Sequence, residues 1–367
     1  MNTRCKKLFS MILCAVLVFS LTLPAFADEP VFASEAYASI LTGSDFQDVC
    51  TKAYDRFGRV LGLMKADGLP TPDSMLVGGD YTKVLFDYAV PGISQIRSKL
   101  VAVYPDADPD AVVCIQGNHD NPSSGFVKNG LYDMGAYNLY VINEDYFPFL
   151  QPLRPGAGCI VNDAANELKN SLNELIEVGD LRPVIVMTHL PLHHTTRTLY
   201  GENMFASYIF DVLNEAGKTL DLIFLFGHQH SGDYDDYIGG SVNFMRPGDT
   251  LRVPKTGEMA KNAYREETLT FTYANYGYMG YSDNNVTETS TNVLTLGLIQ
   301  ITDASFHFVK YTEDGFYKSW DVTRKNTVGA KERIGAPTLT NRELWEIEQR
   351  IFERFFAVFR KLIEMFS

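Results

Sequence analysis

Five short apolar runs in this sequence each end in a cluster of Gly, Asp, Asn or His. The runs and the clusters after them are Tyr37–Leu41 before Gly43-Ser44-Asp45, Met75–Val77 before Gly78-Gly79-Asp80, Ala111–Ile115 before Gly117–Asp120, Val184–Met187 before Thr188-His189, and Leu222–Phe226 before Gly227–His230. Short apolar runs bounded by Gly or Pro are typical of buried strands. We therefore expect five buried strands, each followed directly by polar side chains.

Stretches with helical spacing lie between these runs. Apolar residues recur at helical intervals over 49–64, 165–176 and 205–213. Alternating strands and helices predict an α/β fold whose strands are covered on both faces. The carboxyl ends of such strands meet at one edge of the sheet, where α/β proteins bind ligands. We therefore expect the five polar clusters to converge.

The pattern changes in the second half of the chain. Thr268–Tyr273, Val293–Thr302 and Ser305–Tyr311 alternate apolar and polar residues, which predicts antiparallel strands. We expect these strands to form a second sheet packed on the first. With the earlier elements they complete a domain over 28–325, and residues 326–340 then form a linker.

Residues 341–367 predict a separate amphipathic helix at the C-terminal end. Apolar and aromatic residues follow helical spacing from Leu344 to Phe366, and the acidic and basic residues of this segment balance. Three interpretations are open. The helix docks on its own domain, lies on a membrane surface, or mediates self-association.

The first 27 residues have the features of a secretory signal peptide. A basic head is followed by the apolar stretch Leu8–Leu23 and by the small-residue cleavage site Ala25-Phe26-Ala27. An uncleaved membrane anchor is the alternative, but the stretch is short for a span of about 20 residues. We expect a secreted protein, with membrane association as a further possibility.

Composition limits the partners and the cross-links. The formal charge of −13, from 32 Lys+Arg and 45 Asp+Glu, argues against a nucleic-acid partner. Cys50, Cys114 and Cys159 remain after removal of the signal peptide, and this odd number excludes a simple disulfide framework. Whether Cys50 and Cys159 pair stays open.

The polar clusters combine the side chains of a metal site. Six of the seven histidines fall in them or just after them, and mixed oxygen and nitrogen ligands suit Mn, Fe or Zn better than Ca²⁺ or Mg²⁺. One four-coordinate metal with an open position needs fewer ligands than the clusters supply, whereas two metals bridged by a shared carboxylate use them all. The strong candidate ligands are Asp45, Asp80, Asn118, His189, His228 and His230.

In order and spacing, these motifs resemble those of the calcineurin-like metallophosphoesterases over about residues 36–320. The resemblance is carried by Asp45, Gly79-Asp80, Gly117–Asp120, His189 and Gly227–His230. It implies a four-layer αββα sandwich with a dinuclear metal site between its sheets. It also implies hydrolysis of phosphomonoesters or phosphodiesters of a small substrate by a metal-activated hydroxide.

The resemblance divides the ligands between two metal ions. Asp80 would bridge both ions. The first ion would also be bound by Asp45 and His230, and the second ion by Asn118, His189 and His228.

The resemblance also assigns two catalytic residues. His119 would protonate the leaving oxygen or stabilise charge on it, and Asp120 or Asp45 would orient its ring.

One position departs from the family pattern. The usual first motif Asp-x-His is Asp45-Phe46-Gln47 here, and an amide oxygen is a weaker ligand than imidazole. Gln47 therefore predicts a labile first metal. The same substitution keeps open an alternative to an enzyme, namely a non-catalytic binding protein with an impaired first metal site.

Three further residues follow a ligand strand closely. His193, His194 and Arg197 are candidates for contact with a substrate phosphate or sugar. A surface loop without such a role is the competing interpretation.

Overall fold

The computed structural model describes residues 31–47, 52–81, 90–121, 125–143, 156–195, 198, 201–230, 242–280, 293–325, 334–335 and 341–366. The chain divides into Met1–Val31 and Phe32–Ser367, and every element below belongs to the second unit. The predicted signal peptide, Cys50, Arg197 and all of the predicted linker except residues 334–335 lie outside the described residues.

The described elements alternate strands and helices in the first half of the chain. The strands are β1 (Ala38–Gly43), β2 (Ser74–Val77), β3 (Val112–Cys114), β4 (Gly130–Asp133), β5 (Asn138–Ile142), β6 (Val184–Thr188), β7 (Leu222–Phe226), β8 (Phe244–Met245), β9 (Thr250–Pro254), β10 (Tyr264–Thr268), β11 (Thr272–Asn275), β12 (Leu296–Ile301), β13 (Ser305–Thr312) and β14 (Gly315–Thr323). The helices are α1 (Lys52–Ala66), α2 (Val90–Val103), α3 (Ala157–Val178), α4 (Ser207–Ala216) and α5 (Asn341–Phe366), with a short 3₁₀ helix at Pro109–Ala111.

The first sheet has the strand order β14-β13-β12-β1-β2-β3. Strands β1, β2 and β3 run parallel, and β12 pairs antiparallel with β1 so that Ile40 lies opposite Ile299. All residues of β1 and β12 are buried, as befits strands covered on both faces.

The second sheet has the strand order β4-β5-β6-β7-β11-β8. Its four central strands run parallel, and the antiparallel strands β4 and β8 lie at its edges. Strands β9 and β10 form a separate hairpin.

The predicted arrangement of the later strands was wrong. Strands β12 and β13 extend the first sheet, and β11 joins the second sheet parallel to β7. The second sheet is built mainly from β4 to β7, in the middle of the chain. Alternation along a strand reports which residues face a core, and it does not say which sheet the strand joins.

Two apolar clusters define the layers. One lies between the sheets and joins Ile40 and Leu76 of the first to Ile185 and Ile223 of the second. The other covers the outer face of the second sheet, where α3 and α4 pack. Helices α1 and α2 pack on each other, and α1 contacts β13 and β14 of the first sheet. The architecture is the expected αββα sandwich.

The five predicted strands are present as β1, β2, β3, β6 and β7, and each ends just before its polar cluster. Helices α1, α3 and α4 match the three predicted helical stretches. Helix α2 was not predicted, because Pro91 and Gly92 at its start resemble a chain break. Proline is nevertheless well tolerated in the first turn of a helix.

Helix α5 contacts α3 through its first half. Leu344 and Ile351 belong to the apolar cluster that covers the second sheet. The buried carboxylate of Glu348 accepts hydrogen bonds from the backbone N–H groups of Gly156 (2.9 Å) and Gly158, at the N-terminal end of α3. These contacts support the docked interpretation for this half of α5. Across the described ranges, no helix has both the length and the apolar character to span a bilayer.

Candidate functional site

The predicted ligand loops share an unusual backbone conformation. Among the described residues, the non-glycine residues with φ in the left-handed region are Asp45 (52°), Gln47 (43°), Asp80 (57°), His228 (61°) and His230 (49°). Each such conformation costs about 1–3 kcal/mol and persists where the surrounding structure enforces it. All five are predicted metal ligands. The strain is therefore concentrated in the loops expected to carry function.

Backbone hydrogen bonds join the loops to one another. The N–H of Asp45 donates to Gly79 O (3.0 Å), that of Gln47 to Asp80 O (2.9 Å), and that of Gly227 to His189 O (2.9 Å). These bonds hold the ends of neighbouring strands in register. The loops approach so closely that a Cβ on Gly117 would collide with the Asp80 carboxylate.

Four predicted ligands converge on one point between the sheets. The side-chain oxygen of Asn118 lies 2.9 Å from His189 Nε2 and 2.8 Å from His228 Nδ1. His189 Nε2 is also 3.4 Å from Asp80 Oδ2. Ligand atoms of Asp80, His189 and His228 all lie within 4.8 Å of one another. The first sheet supplies Asp80 and Asn118, and the second sheet supplies the histidines.

The two converging histidines each bond an acceptor with their other ring nitrogen. His189 Nδ1 lies 2.7 Å from Gly78 O, and His228 Nε2 lies 2.9 Å from Glu202 Oε2. A carbonyl and a carboxylate accept hydrogen bonds, so these nitrogens carry the ring protons. In the neutral rings, the nitrogens that face Asn118 then have the lone pairs that a cation needs.

Burial and charge shift the protonation of these groups. Burial alone would raise the pKa of Asp80, but the adjacent His189 and His119 lower it to about 2. Burial would lower the pKa of His189, but the charges of Asp80 and Asp45 raise it to about 10. Burial raises the pKa of Asp45 to about 6. Without a cation, a protonated His189 compensates the buried carboxylates.

Asp45, Gln47 and His230, the ligands predicted for the first metal, lie less closely together than the ligands predicted for the second. Asp45 Oδ2 accepts the backbone N–H of His228 (3.1 Å), while its buried Oδ1 accepts no well-formed hydrogen bond from the described residues. The Gln47 amide donates from Nε2 to Asp80 Oδ2 (3.1 Å). The His230 ring stacks on Tyr278, with centroids 4.4 Å apart and planes at 5°. Because Gln47 turns an N–H donor towards Asp80, it is a weaker ligand for this side of the site.

The residues fit a divalent transition metal on the second-metal side. Two imidazole nitrogens, one amide oxygen and one carboxylate form the donor set typical of Mn, Fe or Zn sites. Ligand atoms at about 2.0–2.2 Å from a metal are about 3 Å apart, and the distances around Asn118 agree. The unbonded Oδ1 of Asp45 adds a buried negative acceptor beside them.

His119 lies at the edge of this group. Its backbone N–H donates to Asp80 Oδ1 (2.9 Å), and its Nε2 is 4.0 Å from Asp80 Oδ2. The side chain is 29% exposed. Its Nδ1 has no hydrogen-bond partner among the described residues. His119 therefore lies near the ligands without occupying their point of convergence.

Asp120 does not orient the His119 ring as predicted. Its buried carboxylate accepts three backbone hydrogen bonds, from the N–H groups of Asp80 (2.8 Å), Tyr81 (3.0 Å) and Gly117 (2.9 Å). Burial, together with the charge of Asp80, raises the pKa of Asp120 to about 7. The residue joins two ligand loops.

His193 and His194 are buried, which does not support the predicted contact with substrate. The His193 ring packs against Phe226 and Tyr273, and its Nδ1 lies 2.8 Å from the Tyr273 hydroxyl. Burial, with the neighbouring His194, lowers the pKa of His193 to about 3. Both histidines help to form the loop after β6. Arg197 lies outside the described residues.

Two side chains at the site were missed by sequence reasoning. Glu202 contacts His228, and buried Arg56 donates to Met279 O (2.9 Å), in the loop that carries Tyr278. Neither residue belongs to a motif. Glu202 follows Gly201 in an irregular loop, and Arg56 lies on an ordinary amphipathic helix, so the sequence gives no signal for either.

Comparisons with known proteins agree with this picture. The model of the calcineurin-like phosphoesterase family matches residues 39–232. No curated protein matches the sequence.

Similar solved structures have low identity. A dimetal phosphatase from Danio rerio is 9% identical, with 79% of this chain and 100% of that chain covered and a TM-score of 0.45. GAP50, the anchor in the inner membrane complex of Plasmodium, is 10% identical, with 82% and 98% covered and a TM-score of 0.46. A predicted phosphoesterase from Streptococcus pneumoniae is 12% identical, with 78% and 98% covered and a TM-score of 0.34.

The assignment rests on the family model, because the solved structures are too distant to carry an argument. The match spans more than half of the 367 residues, and Asp80, His189 and His228 form a group that could hold a metal ion. The chain belongs to the calcineurin-like phosphoesterase family and is a metal-dependent hydrolase of phosphoester bonds.

Proposed function

We propose that this enzyme hydrolyses small phosphomonoesters or phosphodiesters at a centre of two divalent transition-metal ions, Mn, Fe or Zn. The proposal is carried by the convergence of Asp80, Asn118, His189 and His228, with His119 beside them. When bound, such ions neutralise phosphoryl charge and lower the pKa of the attacking water.

The chain's own groups hold the site rigid. Asp120 fixes the distance between the Asp80 loop and the loop that begins at Gly117, because one carboxylate bonds amides of both. The left-handed backbone of Asp80 and His228 is enforced by these neighbouring loops. Rigid placement of charged groups reduces the reorganisation needed during the reaction.

His119 is the candidate for moving a proton. Its ring is partly exposed, and its Nε2 lies 4.0 Å from Asp80 Oδ2. From there Nε2 would donate a proton to the leaving oxygen of the substrate. General acids of this kind contribute about 10²–10⁴ in rate.

We also propose that the two ions are held unequally. The second ion would be held by Asn118, His189 and His228 in addition to Asp80. The first ion would be held by Asp45 and His230, with an amide at Gln47 that donates its N–H to Asp80. An amide that must turn its oxygen inward reduces affinity.

The direct functional test uses purified protein freed of metal by a chelator. Mn²⁺ or Zn²⁺ is then added, and hydrolysis of one aryl phosphate monoester and one aryl phosphodiester is measured. Activity that appears only with the ion supports the proposal, and the ratio of the two rates gives the substrate preference. Protein that binds the ion and hydrolyses neither ester would contradict it and favour a binding role.

Export is a separate proposal. It is supported by the basic head, the apolar stretch Leu8–Leu23 and the site at Ala25-Phe26-Ala27. Mass spectrometry of protein recovered outside the cell should find Asp28 as the first residue. Protein retained in the membrane with its first residues intact would favour the anchor interpretation.

A further inference from the structure

Glu202 contacts a predicted metal ligand from outside the ligand set. It lies in the loop between β6 and α4, and its Oε2 is 2.9 Å from His228 Nε2. The contact is shielded from water, since the Glu202 side chain is 12% exposed and that of His228 is 2% exposed. A charge-assisted hydrogen bond keeps most of its strength in such a setting.

This contact selects one form of the His228 ring. An ionised carboxylate can only accept a hydrogen bond, so His228 Nε2 carries a proton, and in the neutral ring Nδ1 carries the lone pair. His228 Nδ1 is the nitrogen that faces Asn118 Oδ1. Gly78 O performs the same task for His189, through Nδ1. In its neutral form, each histidine therefore presents its lone pair towards the same point.

The residue next to Glu202 is held by three side-chain hydrogen bonds. The buried amide of the next residue, Asn203, donates from Nδ2 to Pro191 O (2.9 Å) and to His193 O (2.9 Å). Its Oδ1 accepts the hydroxyl of Thr198 (2.6 Å). These bonds close the loop on itself next to the end of β6. Glu202 therefore reaches His228 from a fixed base.

We infer that Glu202 is a positioning residue that orients His228 and raises the metal affinity of the site. The inference rests on the proposed function in one respect, that His228 is a ligand. Carboxylate groups that hold a metal-binding histidine in this way commonly contribute about 10–100-fold to metal affinity. The neutral carbonyl of Gly78 supplies the corresponding contact for His189 without a charge.

The test measures Zn²⁺ affinity of the full chain after removal of metal, by competition with a chromophoric chelator. Glu202→Ala should weaken binding by about 10–100-fold, and Glu202→Gln should weaken it less, because an amide oxygen still accepts the hydrogen bond. Asp321→Asn is the matched control. It alters another carboxylate–histidine pair, His307 with Asp321 (2.8 Å), on β13 and β14, and should leave the affinity unchanged.

A second readout is independent of the variants' folding. Nitrogen-15 NMR of the wild-type protein should show His228 with its proton on Nε2, and Zn²⁺ should shift the Nδ1 resonance. A neutral ring with its proton on Nδ1 alone, or a Glu202→Ala affinity equal to wild type, would overturn the role of Glu202 while leaving the proposed function intact. A wild-type protein that binds no Zn²⁺ or Mn²⁺ would overturn both.

Discussion

At the residue scale, the proposed roles of Asp80 as a metal ligand and of His119 as a proton donor can be tested separately. Asp80→Asn removes the buried charge nearest to His189, so metal affinity should fall by more than the 10–100-fold expected for an outer contact. His119→Ala should keep the metal and lower kcat by about 10²–10⁴. Metal content and kcat of the two variants, measured side by side, check this. Equal loss of metal from both would show that His119 is a ligand.

Gln47 tests the unequal affinity of the two ions. Its Nε2 donates to Asp80 Oδ2, so the wild-type chain presents a proton where the family pattern has an imidazole. Titration of metal-free protein should show two unequal steps, and Gln47→His should strengthen the weaker one. Calorimetry measures both steps. An unchanged titration combined with an altered substrate preference would instead place Gln47 against the substrate.

The protonation of His189 predicts how metal binding depends on pH. The charges of Asp80 and Asp45 raise its pKa to about 10 against the opposing effect of burial, so the ring is protonated at neutral pH. A ligand must be neutral, and binding therefore releases a proton. Apparent affinity should rise about tenfold per pH unit between pH 6 and 8 for one released proton. A flat affinity over this range would contradict the raised pKa of His189.

Much of the site was predictable, for a physical reason. Ligands such as Asp80, Asn118 and His189 follow strand ends directly, so strand position alone brings them together. Glu202 was not predictable, because its place depends on the folding of an irregular loop around Asn203. The packing of His193 was also hidden, since sequence does not distinguish a buried imidazole from an exposed one.

At the scale of elements, one buried carboxylate joins α5 to the N-terminal end of α3. Glu348 caps the N-terminal end of α3 through Gly156 and Gly158, where the helix dipole favours negative charge. Glu348→Ala should therefore lower the free energy of unfolding by about 1–2 kcal/mol, without loss of metal binding.

The matched control for this variant is Glu346→Ala on the exposed side of the same helix. The Glu346 side chain forms an ion pair with Arg342 (3.5 Å), in which both side chains are well exposed, and such pairs contribute little. Denaturant unfolding followed by circular dichroism compares the two variants. Equal stability would mean that the cap does not hold α5.

The sequence pattern predicts some strands and helices and not others. Strands β1, β2, β3, β6 and β7 were predicted because apolar runs and turn residues are local signals. The partners of β11 and β12 were not, since strand pairing between distant segments depends on the assembled core. Helix α2 was missed because Pro91-Gly92 at its start resembles a turn.

At the scale of the whole molecule, the site joins the two sheets. Asp80 and Asn118 follow strands of the first sheet, while His189 and His228 follow strands of the second. A cation held by all four therefore links the halves of the sandwich. The site belongs to neither sheet alone, and its geometry depends on how the apolar cluster between the sheets sets their separation.

Anomalous diffraction from crystals grown with Mn²⁺ tests this central claim most directly. A strong peak is expected about 2.0–2.2 Å from Asp80, Asn118 Oδ1, His189 Nε2 and His228 Nδ1. A second peak of lower occupancy is expected on the side of Asp45 and His230. Absence of any peak among the first four residues, in a protein that hydrolyses phosphoesters with Mn²⁺, would contradict the account.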